Sequence, residues 1–403
     1  MVTYGYINKF FTGVGAKRLS EVEVSPAVSN QHEFNGITEF KEIFGTAKIN
    51  FTAKYIYLAD DEESTITEEG TLTWYNAREN HATRTEYRLY YSANEVISTS
   101  TPGDLIVICR VSENELFIIV TPEGSTSEKQ ILWLFGLGEV GNKFKIRDFT
   151  EEQITIDFAG KYIINSLGIE VEETIDDYLD ELLNKFGNKF PKTQEFSEYA
   201  RSTIKNVSPV EAPDETLMAW LEKEEMLFRT LEKHIVQQKL KQGFGKNGTD
   251  VDEFVTFSLS VQNRRKSRAG HAFENHLATL FDSNELCYSK GVKTERNNKP
   301  DFLFPGIKKY KDAGFSEQLL TMLGVKTTAK DRWRQVLAEA DRIRIKHLIT
   351  LQPAISENQT DEMKAQSISL VVPSPLLSTF SKGQQTELLT VKDFIKLVRD
   401  KQA

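Results

Sequence analysis

Up to about residue 165 the apolar positions of the chain fall in short runs set between polar, turn-rich stretches. The runs are Lys54-Tyr55-Ile56-Tyr57-Leu58, Thr71-Leu72-Thr73-Trp74-Tyr75, Tyr87-Arg88-Leu89-Tyr90-Tyr91, Leu105-Ile106-Val107-Ile108-Cys109 and Leu116-Phe117-Ile118-Ile119-Val120. Alternating or β-rich runs of this length predict strands, and five in succession predict a small barrel or curled sheet. The next segment, 166–189, is acidic and helical in spacing, and runs into Gly187 and Pro191, so it reads as a linker. From 190 to 403 the period changes. Helical spacing appears around 215–241 and 268–283, and strands are predicted near 301–304, 322–326, 347–351 and 368–372. Between the second and third of these strands, Trp333, Val336, Leu337, Ala340 and Ile343 have helical spacing and predict a helix carrying Glu339. The alternation marks a second domain of α/β type. No internal repeat or low-complexity tract interrupts it.

Composition narrows the class without naming a function. The 403 residues are 27% charged and 39% hydrophobic, ordinary for globular domains. No apolar run approaches the length of a membrane span, and MVTYGYINKFF lacks the basic start and long apolar centre of a signal peptide. The expectation is a cytoplasmic chain with no membrane partner. Cys109 and Cys287 lie far apart, which excludes a zinc ribbon or a disulfide scaffold and suits a reducing compartment; both are expected in the core. The net charge of −9 argues against nucleic acid until its distribution is considered. Residues 251–350 hold 18 Lys and Arg against 12 Asp and Glu, a basic region inside an acidic chain. A local basic surface is what a DNA-binding face requires.

That basic region contains Pro300-Asp301, then Lys326, then Glu339. Two carboxylates can hold a divalent cation on a scissile phosphate, and a lysine beside them can orient the attacking water. Taken singly, Pro-Asp is a common turn and Lys-Thr-Thr a common triplet. In this order, with Asp301 and Lys326 on or beside adjacent strands and Glu339 on a helix, they have the layout of a PD-(D/E)XK nuclease core whose last acid has moved from strand to helix. Glu274, at the edge of the apolar stripe Ala272, Phe273, His276, Leu277 and Leu280, is either a solvated helix residue or a further acid of the site.

The motifs NRRKSRAG, KPDFLFP, VKTTAKDRWRQ and LVVPS, in the region from about Phe190 to the end, resemble the C-terminal domain of the EcoRII family of restriction endonucleases. The resemblance implies that Asp301, Lys326 and Glu339 are the catalytic core, with Glu274 as an additional acid. Magnesium would be the cofactor, on Asp301, Glu339 and Glu274. Tyr310, in a shared Tyr-x-Asp-x-x-Phe segment, is either a site residue or a packing residue. It also implies that Lys330, Asp331 and Arg332 read the CC/GG half of a target. The residue types allow this, since Arg and Lys can bond guanine and Asp can accept from cytosine; a capped, solvated helix start is the other reading. A short pseudo-palindromic target implies a homodimer on double-stranded DNA, and a restriction enzyme implies a cognate DNA methyltransferase. Related members extrude the central base pair, for which Trp220 is the candidate platform; the alternative is a core tryptophan.

A second resemblance covers the first domain. Lys17-Arg18-Leu19-Ser20, Gln31-His32-Glu33-Phe34-Asn35-Gly36, Trp74-Tyr75-Asn76 and Thr83-Arg84-Thr85-Glu86-Tyr87-Arg88 are similar to the family's N-terminal effector domain, a B3-like DNA-binding pseudobarrel. Ala82 and Tyr87 depart from it, standing where EcoRII has lysines. Placed on one strand, Arg84, Glu86 and Arg88 would share a face and present two guanidiniums around a carboxylate, with His32 on the other arm. A cross-strand salt-bridge ladder would use the same residues.

The expected function is thus a type II restriction endonuclease making a magnesium-dependent double-strand break at a short CC/GG-containing site and leaving 5′-phosphates. A DNA-binding protein with an inactive nuclease fold, or a methylation-dependent or repair nuclease of the same fold, would carry much of the same pattern.

Overall fold

The computed structural model describes residues 4–24, 32–34, 37–81, 83–171, 178–330 and 332–403, apart from the side chains of residues 62 and 247. The chain divides into two compact units, residues 2–172 with 353–359, and residues 173–352 with 360–403. Among the described residues no helix is long and apolar enough to cross a membrane.

The first unit is built on eight strands: β1 (Gly13–Arg18), β2 (Glu33–Phe34), β3 (Ile49–Tyr57), β4 (Ile66–Asn76), β5 (Tyr87–Tyr91), β6 (Leu105–Arg110), β7 (Glu115–Thr121) and β8 (Lys145–Asp148). They form one mixed sheet in the order β2-β5-β4-β3-β7-β6-β1-β8. All neighbours run antiparallel except β3 and β7. The five predicted strands are all present as β3 to β7. Alternation sorts their side chains to two cores. Phe51, Tyr55, Leu72, Trp74 and Leu89 enter one, while Val107, Cys109, Phe117 and Ile119 enter the other with the helices Thr126–Phe135 and Phe158–Ser166. The continuous apolar runs of β6 and β7 reflect burial on both faces. Cys109 is buried as expected, whereas Cys287 is exposed.

The second unit has a five-stranded mixed sheet, β9 (Ser289–Lys290), β10 (Phe302–Phe304), β11 (Thr321–Lys326), β12 (Lys346–Thr350) and β13 (Ile368–Val371), in the order β13-β12-β11-β10-β9. β9, β10 and β11 are antiparallel neighbours, and β11, β12 and β13 run parallel. Two long helices, Pro213–Gln242 and Val251–Ser283, belong to this unit; the second begins well before the segment its sequence stripe suggested. Buried Asp214 fixes the start of the first helix, accepting N–H groups of Ser374 (2.9 Å), Val391 (2.8 Å) and Lys392 (3.0 Å). The Val391 amide would otherwise be a buried donor without this partner.

Gly324 lies in the middle of β11 and lets the short helix Trp333–Val336 press onto the strand. A methyl group at this position would stand 2.8 Å from Cγ2 of Val336, a stiff β-branched side chain packed at 0% exposure. Gly324→Ala is therefore expected to lower stability by about 1–3 kcal/mol, the usual cost of overpacking a filled core. Urea unfolding should show the midpoint shifted with an unchanged slope.

Candidate active site

Asp301 sits one residue before β10, next to the Phe302–Leu323 pair of the antiparallel ladder. Its Oδ2 accepts the N–H of Val325 at 2.6 Å and lies 3.7 Å from Nζ of Lys326, the last residue of β11. About a fifth of each side chain remains exposed, 20% for Lys326 and 21% for Asp301. The sheet register thus brings together residues 25 positions apart, and the backbone N–H orients the carboxylate toward the strand that carries the lysine.

Glu339 does not project from a helix, as its sequence pattern predicted. The helix stops at Val336, and Glu339 lies in the bend that follows. The apolar spacing up to Ile343 is real, but it is produced by a tight turn. Ala340 takes a φ of 50°, and the carbonyl groups of the turn bond to a lysine. The Oε2 of Glu339 is buried without a hydrogen bond. Burial first, and then the negative charge of Asp301, push its carboxyl up to about 7, while Lys326 and Lys346 pull the other way. Asp301 is close enough for its charge to be felt at Glu339.

This donor set suits a hard divalent cation. It offers carboxylate oxygens, one of them orphaned, and a repulsion that a cation would remove. Among the described residues no group of three or more His, Cys, Asp and Glu could hold a metal ion. Glu274 does not join Asp301 and Glu339 in such a group; it faces Lys290 at 3.4 Å and His271 at 3.9 Å. A cation on two carboxylates would complete its shell with water and substrate oxygens, as magnesium commonly does.

Tyr310 is 2% exposed, and its hydroxyl donates to Glu295 at 2.7 and 2.9 Å from the two carboxylate oxygens. The same hydroxyl accepts the N–H of Arg342 at 3.3 Å, and Glu295 accepts that of Asp341 at 3.3 Å. Burial, then the bond to Glu295, holds the phenol well above its ordinary range. Here Tyr310 ties down the turn that follows Glu339.

Asp331 lies outside the described residues. Lys330 has a φ of 31°, and its N–H shares the Oε1 of buried Gln352 with that of Ala329, at 3.1 and 2.8 Å. Arg332 is exposed at the start of the short helix, and among the described residues its side chain has no hydrogen-bond or ion-pair partner. Arg334, by contrast, pairs with Glu362 at 2.7 Å and stacks on Trp333. Trp220 is 5% exposed, with the His276 ring 5.7 Å and the Arg201 guanidinium 5.8 Å from its own ring. These neighbours are those of a packed tryptophan.

The sequence reading passed over Glu295, Lys346 and Gln352. Glu295 and Gln352 act through backbone amides of turns distant in sequence, and Lys346 through carbonyls of the turn just before its strand, and no hydrophobic pattern reports such bonds. The one available signal was Lys346 itself, a cation heading the otherwise buried strand KHLIT.

In the first unit, strand β5 begins at Tyr87, so Arg84 and Glu86 precede it and the expected single-strand alternation of 84, 86 and 88 does not form. Instead the backbone N–H of Glu86 bonds the side chain of Asn76 at 2.9 Å. Glu86 pairs with Arg78 (2.5 Å) and Arg88 (2.7 Å), Arg88 also with Glu33 (2.9 Å), and the Tyr75 hydroxyl donates to Glu33 (2.7 Å). Hydrogen bonds from Arg88 and then Arg78 hold the Glu86 carboxyl below its usual range. Arg84 is exposed, with no side-chain partner among the described residues. His32, at a φ of 50°, sets its ring edge-on to Tyr91 at 5.4 Å. Ala82 lies outside the described residues.

Comparison with known proteins adds an independent line. The chain is 43% identical over 209 residues to the type II restriction enzyme EcoRII of Escherichia coli, 51% of this chain and 50% of that one, so it matches about half the length of its curated relative. Among solved structures, Ecl18kI, metal-depleted and in complex with uncleaved, modified DNA, is similar over 57% of this chain and 85% of its own, at 18% identity and a TM-score of 0.45. The restriction endonuclease PspGI in a complex with substrate DNA is similar over 57% and 98%, at 15% identity and a TM-score of 0.42. The resemblance expected from the motifs of the C-terminal region is borne out: the family model described as EcoRII C terminal matches residues 228–395.

Proposed function

We propose that the chain is a type II restriction endonuclease that hydrolyses both strands of DNA with magnesium at a short CC/GG-containing site, leaving 5′-phosphates. The observation that carries this reading is the meeting of Asp301, Lys326 and a buried, partnerless oxygen of Glu339 at one end of a mixed sheet. Their order, just before one strand, at the end of the next and in the turn beyond, supports a PD-(D/E)XK core. The identity to EcoRII supports the substrate class, double-stranded DNA.

The chain's own groups divide the work. Asp301 and Glu339 would hold the cation, with waters and phosphate oxygens filling its other positions. Once bound, the ion would neutralise charge at the reacting phosphate and lower the pKa of its water. Lys326 cannot chelate, and its ammonium beside Asp301 is placed to hold the attacking water or a phosphate oxygen. An inactive nuclease fold would have no need of a carboxyl held near 7 by burial and then by the charge of a second acid. Arg332, exposed and without a side-chain partner among the described residues, is the first of the proposed base readers to test. A homodimer would supply one site per strand, and a methyltransferase would protect host DNA in the cytoplasm. For the first unit, the B3-like resemblance supports a DNA-binding role for Arg84, Arg88, Glu86 and His32; among the described residues the Arg84 side chain has no partner, while Glu86 and Arg88 are paired.

Asp301→Ala and Lys326→Ala are each expected to abolish cleavage while keeping sequence-specific binding, because neither residue reads a base. A magnesium titration on a methylated and an unmethylated plasmid library, with a gel shift alongside, checks both; cleavage retained by either variant removes the site. Arg332→Ala should cost specific binding roughly 1–3 kcal/mol, the worth of one bidentate base contact. Competition against substituted duplexes reads this, and equal weakening on every sequence would make Arg332 a phosphate contact.

The raised carboxyl of Glu339 fixes the sign of a pH effect in the metal-free chain. Its folded value, about 7, exceeds the ordinary glutamate value of 4.5. Its contribution is therefore fully present below about 4.5 and is lost as pH rises through 7. Over that window the wild-type chain should lose up to about 3 kcal/mol relative to Glu339→Gln. Urea unfolding of both proteins in chelator, on either side of the window, gives the difference; parallel curves would contradict the assignment.

A further inference from the structure

We infer that Lys346 is a positioning residue for Glu339, its ammonium gripping the backbone oxygens of Glu339, Ala340 and Ile343 so that the turn keeps the Glu339 carboxylate beside Asp301. The inference rests on the nuclease reading above and adds a residue to it.

Lys346 is the first residue of β12 and is 8% exposed. Its Nζ donates to the carbonyl oxygens of Ala340 and Ile343, each at 3.1 Å, and to that of Glu339. An ammonium has three protons and here meets three acceptors. The acceptors converge because the turn is not helical. In a helix the carbonyls of 339, 340 and 343 would point along one axis, each to an amide four residues on. With Ala340 at positive φ they converge on the ammonium; the Ala340 carbonyl also accepts the N–H of Ile343 at 2.9 Å, while without the lysine those of Glu339 and Ile343 would lose this donor.

The lysine also gives the turn its anchor. β12 pairs in parallel with β11 through Leu323–His347 and ends at Lys326–Thr350. Lys326 and the residue that holds Glu339 are thereby fixed on adjacent strands of one sheet. The other side of the turn is fixed too. Arg342 bonds the carbonyl oxygens of Asp312 (3.0 Å) and Phe315 (2.9 Å), and Asp341 donates its N–H to Glu295 (3.3 Å). Between these two anchors Glu339 has no hydrogen bond to its own Oε2 that could hold the side chain in place. Its placement is set by the backbone, and Lys346 sets the backbone.

Methionine at 346 fills the same volume with no donor. Arginine keeps the charge but spreads its donors in a plane, so it cannot sit at the centre of three converging oxygens. The test is Mn²⁺ binding by electron paramagnetic resonance on the full-length chain, comparing wild type, K346M, K346R and D301A, each shown folded by circular dichroism. K346M should bind Mn²⁺ roughly 10-fold to 100-fold more weakly, the usual effect of losing a group that orients a metal ligand. K346R should fall between it and wild type. A merely structural lysine would lower the unfolding midpoint and leave the Mn²⁺ affinity of the folded protein as in wild type, which overturns the inference. If K346M does not fold, wild-type affinity in K346R overturns it equally. If D301A binds Mn²⁺ as tightly as wild type, the two-carboxylate site itself is wrong and the nuclease reading falls first.

Discussion

The N–H of Val325 donates to Asp301 at 2.6 Å, and this one bond couples the candidate chemistry to the pairing of β10 with β11. An amide of a strand interior is normally spent on a neighbouring strand. Here β10 begins at Phe302, after the acid, so the amide meets a side chain instead. The carboxylate is then oriented by the sheet rather than by its own rotamer preference, and Lys326 follows on the next position of the same strand. The rest of the site depends on this register. A slip of one residue along β11 would reverse the faces of Lys326 and of the apolar side chains beneath it.

Against that fixed pair, Glu339 is delivered by contacts made from outside the pocket. Gly324 allows the four-residue helix to sit directly on β11, and the turn beyond it is gripped by side chains whose charged ends bond backbone atoms. The carboxyl itself gains almost nothing from its surroundings, as its raised titration reports. Such an arrangement is costly in the isolated chain and, on the proposed function, would become favourable with a bound cation. That is the ordinary relation between stability and function at a site that must bind charge.

The strands were legible because their apolar residues alternate or run continuously, and burial on one face or on two writes those patterns directly. Asp301, Lys326 and Glu339 were legible as an ordered set of residue types. What was not legible has a common physical cause. The apolar spacing of Trp333 to Ile343 satisfies a helix and a helix-plus-turn equally well, and the choice is made by Lys346, whose role appears only when β12 lies beside β11. In the same way, Arg84, Glu86 and Arg88 alternate in sequence, but Asn76 takes the Glu86 amide and β5 starts one residue later. Tyr310 and Trp220 left two readings open from sequence, and the neighbours now found around each ring are those of buried packing residues.

The ion-pair web on the first unit has a consequence for how that face would meet a polyanion. Arg78 and Arg88 are already neutralised by Glu86 and Glu33, so from a distance the patch carries little net field, on a chain whose overall charge is −9. Salt screens exposed charges within about 10 Å at ordinary ionic strength, which leaves nothing to gather an anion from far away. An anion that did arrive would exchange with the carboxylates for the same guanidiniums, and each released carboxylate would take up a solution cation. Recognition by such a face is an exchange of partners at short range, governed by geometry and by the rate at which the web opens, and it is far less sensitive to salt than a bare cluster of arginines.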